Sequence, residues 1–92
     1  MEENNIKDLK VEIKDLIIKT LNIPDITAAD IDDEILLFGG ENTLGLDSID
    51  AIELVMAVQR QFNVRIDDQN LAREVLKNVN TIADFIVNNR AA

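Results

Sequence analysis

The sequence predicts an all-α fold, a small bundle of three main helices plus one short helix. Three observations carry that prediction. Apolar residues recur at helical spacing in separated segments, and no stretch shows the alternation of a strand. The 92 residues allow one domain with one core, taken as residues 1–92. The apolar set is Ile, Leu, Val and Ala with three Phe (Phe38, Phe62, Phe85) and neither Trp nor Tyr, which suits a small helical core.

The first helix is expected from about Glu3 to Leu21. Ile6, Leu9, Ile13, Leu16, Ile17 and Leu21 form one apolar stripe. Asn22 and Pro24 end it, because the residue before proline avoids helical backbone angles. A long connection follows from Asn22 to Leu46, containing the only Pro and all three Gly. Connections of that length without structure of their own are uncommon and often functional, and a helical turn is expected inside it near Ala28 to Leu37. The second helix runs from about Ser48 to Phe62. A shorter third helix spans Gln69 to Lys77 with Leu71, Val75 and Leu76 inward. The last runs from Thr81 to Asn89, where Thr81 and Asp84 have capping-box spacing and Ile82, Phe85 and Ile86 face the core.

Composition narrows the function. The chain has no Cys and no His, which removes disulfides, thiol chemistry, imidazole bases and most zinc sites. A catalyst would have to work with carboxylates, Lys, Ser or Thr alone, so no enzyme is expected. The formal charge of -9 argues against nucleic acid and anionic membranes as partners and favours a basic protein surface. The start Met1-Glu2-Glu3-Asn4-Asn5 lacks the basic and apolar runs of a signal peptide, and no stretch is long and apolar enough to span a bilayer. A cytoplasmic location is expected.

The charge is concentrated. No Lys or Arg lies between Lys19 and Arg60, whereas that interval holds nine acids: Asp25, Asp30, Asp32, Asp33, Glu34, Glu41, Asp47, Asp50 and Glu53. The remainder holds nine acids and nine bases and is neutral. A solvated face that aids solubility is one explanation, and a docking surface is the other.

The second helix has two apolar faces. At about 100° per residue, Ala51, Leu54, Val55, Val58 and Phe62 gather on the core side. Ile49, Ile52 and Met56 fall nearly opposite, with Asp50 and Glu53 along one flank. Exposed apolar residues rimmed by charge have the character of a binding surface, and Met suits a surface that fits several partners. The alternative is that the long connection folds over this stripe and buries it. Just before the helix comes Gly45-Leu46-Asp47-Ser48. Asp47 or Ser48 is simplest as an N-cap, but a helix N-terminus also favours a phosphate.

The run Gly45-Leu46-Asp47-Ser48-Ile49-Asp50-Ala51-Ile52-Glu53-Leu54 resembles the modification motif of acyl carrier proteins, close to G-x-D-S-[LI]-x-x-[VIL]-E-[LMF]. The similarity continues through Val55-Met56-Ala57-Val58 to Phe62 and into Ile66-Asp67. The resemblance implies an acyl carrier protein-like fold and a 4'-phosphopantetheine arm joined to Ser48 by a phosphodiester. It implies that Asp47, Asp50 and Glu53 meet Lys and Arg on partner enzymes and that Ile49, Ile52 and Met56 pack at those interfaces. The core stripe would line the space that shelters an acyl chain, and the working thiol would come from the arm. Partners would be a phosphopantetheinyl transferase and acyl-transfer and chain-elongation enzymes with basic docking patches, and the chain would be a monomer.

Some features depart from the family pattern. Fatty-acid synthase carriers are often acidic at the end of the second helix, where this chain reads Gln59-Arg60-Gln61. The segments Leu37 to Gly45 and Asp67 to Asn80 are longer than usual. The L-F-G-G…L-G-L-D-S-I-D run resembles specialised carriers of aryl polyene or polyketide-like pathways. Fatty-acid, polyketide and aryl polyene-like synthesis all stay open, as does an aminoacyl or D-alanyl carrier. Outside the family, an unmodified acidic adaptor is an alternative. So is a calcium-binding helix-loop-helix: Asp30, Asp32, Glu34 and Glu41 fall at the first, third, fifth and last positions of a twelve-residue calcium loop, although Ile35 stands where its sharp turn needs Gly.

Overall fold

The computed structural model describes residues 2–89, and the side chains of residues 6–89. Four α-helices follow in order: α1 (Glu2–Leu21), α2 (Ser48–Phe62), α3 (Gln69–Val75) and α4 (Val79–Asn89). The expected fold class stands, with a very small sheet added in the long connection.

The α1 stripe packs as its spacing requires. Leu9, Ile13 and Ile17 are buried, Leu16 and Leu21 pack at the edge of the core, and Ile6 is exposed because the stripe outruns its neighbours there. The helix stops at Asn22, which takes the left-handed conformation (φ 54°). The Ile23 amide then donates back to the Ile18 carbonyl at 3.1 Å, the closing bond of a Schellman ending. Asn63 (φ 55°) ends α2 in the same left-handed conformation.

The connection from Asn22 to Leu46 is largely built rather than loose. The expected helical turn contracts to one 3-10 turn, Ala28–Asp30. The Asp30 carboxylate accepts from the Thr27 amide at 2.9 Å, which closes the turn at once. Two strands follow, β1 (Leu36–Phe38) and β2 (Thr43–Leu46). They were not legible as strands because three and four residues are too few to display alternation. They pair in parallel, with Leu36 opposite Thr43 and Phe38 opposite Leu46. Parallel pairs normally need a long crossover. Here β1 advances only about 7 Å, within reach of residues 39–42, which can span up to about 14 Å. Gly39 (φ 125°) makes the reversal. Gly45 (φ 79°) supplies the extra residue by which β2 outruns β1, a bulge directly before α2.

Side chains from this connection complete the core. Ile31, Leu37 and Leu46 are buried among Leu54 and Val58 of α2, Val75 and Leu76 at the end of α3, and Val79, Ile82, Ala83 and Ile86 of α4. Backbone bonds fasten it to the α3–α4 corner: the Leu37 amide donates to the Lys77 carbonyl at 3.0 Å and the Asn80 amide to the Asp33 carbonyl at 3.2 Å.

The α3–α4 corner differs from the expectation. Helix α3 ends at Val75, and α4 begins at Val79 rather than Thr81. The capping pair is Asn78 with Thr81, not Thr81 with Asp84. The Thr81 amide donates to Asn78 Oδ1 at 2.8 Å, and the Asn78 amide donates to Thr81 Oγ1 at 3.0 Å. The Thr81 hydroxyl lies 2.8 Å from both the Val75 and the Asn78 carbonyls, either of which can accept its one proton, so one side chain joins the end of α3 to the start of α4.

Two ion pairs to one carboxylate tie the acidic connection to α1. Lys14 Nζ lies 2.6 Å from Asp33 Oδ1, and Lys10 Nζ lies 3.7 Å from Oδ2. The hydrogen bond from Lys14 holds the Asp33 carboxyl below the usual carboxylate range. A lowered folded-state pKa stabilises the native state above the unfolded value, and that contribution is lost as pH falls through the folded value. Asp33→Asn is therefore expected to cost stability at pH 7 and progressively less below about pH 4. Urea unfolding of both proteins at the two pH values checks this. A difference that stays constant with pH contradicts it.

Candidate functional site

The bulge at Gly45 delivers the chain to α2 with Asp47 in an extended conformation (φ -113°, ψ -174°) as the N-cap. Its carboxylate accepts from the Asp50 amide at 3.0 Å, and the Asp50 carboxylate accepts from the Asp47 amide at 3.1 Å. The two acids form a reciprocal capping box, with the macrodipole favouring negative charge at that end. This leaves Ser48, at the first helical position, with no capping duty. Its side chain is exposed, and among the described residues no protein group bonds its hydroxyl. Ser48 is also the only serine in the sequence, a signal available from composition alone. The first amides of a helix have no partner within it, so those of Ser48 and Ile49 stand beside the hydroxyl.

Beyond Ser48 the two faces of α2 separate as the wheel predicts. Leu54 and Val58 are 0% exposed, and Ala51, Val55 and Phe62 pack at the core's edge. On the other side Ile49, Ile52 and Met56 are 67%, 62% and 55% exposed. The long connection does not cover them. Glu53 is exposed beside them and enters no ion pair among the described residues, where the pairs are Lys10–Asp33, Lys14–Asp33 and Arg65–Asp67.

A groove of about 910 Å³ runs between α2, β1 and α3. Leu46, Ile66 and Leu76 contribute buried side chains to it, Ala51, Val55 and Ala72 line its walls, and Ser48 borders it. The core stripe enters this groove only in part. Ala51 and Val55 reach it, whereas Leu54, Val58 and Phe62 do not, and Ile52 and Met56 of the outer stripe do. The stripe divides because the groove opens along one edge of α2 rather than under it. The sequence reading missed the contribution of Leu36, Phe38 and α3 to this lining, since no periodic pattern connects β1 to α3.

The calcium-loop spacing does not become a calcium loop. Asp30 closes the 3-10 turn, Asp32 accepts from the Glu34 amide at 3.1 Å, and β1 separates both from Glu41. The segment therefore lacks the helix-loop-helix frame, and among the described residues no group of three or more acids is placed to hold a metal ion.

The sequence that builds this site is similar to that of known proteins. Residues 11–86 match the family model described as the phosphopantetheine attachment site. An acyl carrier protein of Bdellovibrio bacteriovorus is 35% identical over 79 residues, covering 82% of this chain and 86% of its own length. The chain belongs to the acyl carrier protein family. An acyl carrier protein of Campylobacter hominis is 33% identical over 78 residues, covering 84% of this chain and 87% of its own length. One of Guillardia theta is 45% identical over 51 residues, covering 55% of this chain and 60% of the relative. The stronger identity thus spans only about three-fifths of that relative's length.

Carriers of this family are not catalysts. The matched domain is the attachment site of covalent 4'-phosphopantetheine, a group that supplies a flexible arm ending in a thiol. A carrier without cysteine has no thiol of its own to compete with it. An exposed hydroxyl at a helix N-terminus, with amides and the positive end of the macrodipole beside it, fits a phosphodiester. Among the described residues no helix is long and apolar enough to cross a membrane.

Proposed function

We propose that the chain is a single carrier domain whose Ser48 bears the 4'-phosphopantetheine arm and which presents acyl thioesters to separate enzymes. The observation that carries this is the division of labour at the start of α2. Asp47 and Asp50 satisfy the helix end, so the Ser48 hydroxyl beside them stands outward on the rim of the groove. A phosphopantetheinyl transferase would join the phosphorus of coenzyme A's pantetheine half to Ser48 Oγ, with adenosine bisphosphate leaving and the hydroxyl proton passing to the transferase or water. The groove, mostly aliphatic where it meets the core, would shelter part of an acyl chain.

The outer stripe of Ile49, Ile52 and Met56 is the proposed docking face for acyl-transfer and chain-elongation enzymes in the cytoplasm. The Leu-Phe-Gly-Gly segment forms β1 and its turn at one wall of the groove; the resemblance of this run to specialised carriers is what supports aryl polyene-like or polyketide-like synthesis over bulk fatty-acid synthesis. Intact mass after incubation with coenzyme A and a broad-specificity transferase tests the reading. One added phosphopantetheine is expected, and an unchanged mass overturns it.

The capping box separates the acids of the docking face. Glu53→Lys removes a charge with no ion pair among the described residues, so stability should stay within about 0.5 kcal/mol while acyl transfer at low salt slows roughly tenfold. Asp50→Lys removes half of the box and should also cost about 1 kcal/mol of stability. Thermal unfolding beside transfer rates checks both. Equal melting temperatures for the two variants, or unchanged transfer by Glu53→Lys, contradict the assignment.

A further inference from the structure

The exposed face of α2 carries charge of both signs in a fixed order. At about 100° per residue, Met56 and Arg60 lie within about 20° of the direction of Ile49, and Glu53 about 40° to one side. Arg60 is exposed and enters none of the ion pairs among the described residues. It follows Glu53 by about 10 Å along the helix axis, with Met56 between them. Arg60 and Gln61 share a cleft with Glu12, Asp15 and Lys19 of α1, and among the described residues none of these acids comes within ion-pair distance of Arg60. Glu12 accepts from Gln61 Nε2 at 2.8 Å, so it is held by the residue beside Arg60 rather than by Arg60 itself. The face therefore reads acid, apolar, cation away from Ser48.

We propose that this face selects partners whose docking strip is bipolar. Such a partner has a Lys or Arg opposite Glu53, an apolar pocket for Ile52 and Met56, and an Asp or Glu opposite Arg60. The inference rests on the carrier reading above and specifies its partner. A wholly basic strip meets like charge at Arg60, and like charges brought together across an interface reject the wrong partner more strongly than matched charges reward the right one. A strip with both signs also fixes the direction in which the carrier lies, and so where Ser48 stands relative to the partner's entrance. A cation in the last turn complements the helix dipole as well, but that role alone changes stability and not partner preference.

The test uses the full chain as wild type, Arg60→Gln and Arg60→Glu, each first loaded with an acyl-phosphopantetheine and checked for helical content by circular dichroism. Loading of the wild type reports on Ser48 separately, and its failure overturns the carrier reading and this inference with it. Acyl transfer is then measured to a ketosynthase whose docking patch bears only Lys and Arg. At low salt Arg60→Glu should exceed wild type about tenfold, with Arg60→Gln between them, and the gain should vanish at 1 M salt, where screening reaches only about 3 Å. Rates for both variants no higher than wild type at low salt, or a gain that persists at 1 M salt, overturn the proposal.

Discussion

Ser48→Ala is expected to give a folded protein that takes up no phosphopantetheine. The fold survives because Asp47, not Ser48, caps α2 and because the exposed hydroxyl has no bond to lose among the described residues. Stability should stay within about 0.5 kcal/mol of wild type, as for other surface changes without a partner. Uptake should vanish because no other serine exists. Among the threonines, Thr27, Thr43 and Thr81 spend their hydroxyls on local bonds, to Asp30 at 3.3 Å, to the Gly40 carbonyl at 2.8 Å and to the Val75 carbonyl at 2.8 Å. Intact mass and thermal unfolding of the variant check both halves. A residual gain in mass would move the attachment elsewhere, and loss of the fold would give Ser48 a structural duty.

Leu54→Ala is expected to have the largest effect on stability. Leu54 is 0% exposed on the core face of α2. Removing its buried methyl groups forfeits their transfer energy and leaves a cavity, together about 3 kcal/mol. In a domain of this size each kcal/mol shifts the midpoint by roughly 4–8 °C, so the melting temperature should fall by about 15 °C. Ile52→Ala, two residues away and 62% exposed, should change it by less than about 3 °C. Calorimetry of the two variants compares the faces of one helix directly. Similar losses would mean that the outer stripe is packed rather than presented.

Much of this was legible because helices write their faces into the sequence. The spacing of Leu9, Ile13 and Ile17 located the buried side of α1, and the two stripes of α2 separated on a simple wheel. Asn22 with Pro24 marked a helix end that the left-handed Asn22 confirms. Short elements leave no such record. Leu36–Phe38 and Thr43–Leu46 pair through backbone groups that any sequence possesses, and their side chains alone do not announce the pairing. At the start of α4, Asn78 and Thr81 both had capping chemistry. The corner settles the choice: Asn78 takes the cap, and the Thr81 hydroxyl lies within hydrogen-bond distance of the Val75 carbonyl as well.

The site divides in the same way. The Asp47-Ser48 dipeptide could be seen, but which residue capped the helix could not. The answer depends on the extended conformation of Asp47, which follows the register shift in β2. Asp50 was read as a docking acid, and its bond to the Asp47 amide gives it a second task that sequence spacing alone left unassigned. Asp33 shows the same effect at longer range. It belongs to the acidic interval by sequence, yet Lys14 and Lys10 of α1 pair with it. The interval is thus not one uniform surface. Part of its charge builds the fold, and Glu53 on the outer face of α2 enters no ion pair among the described residues.

Trypsin makes the central claim directly measurable. No Lys or Arg lies between Lys19 and Arg60, so digestion of the loaded protein releases Thr20 to Arg60 as one peptide with four hydroxyl residues: Thr20, Thr27, Thr43 and Ser48. Fragmentation of that peptide should place one phosphopantetheine on Ser48 and leave the three threonines unmodified. An adduct on Thr20, Thr27 or Thr43, or an unmodified Thr20–Arg60 peptide from protein exposed to coenzyme A and transferase, would contradict it.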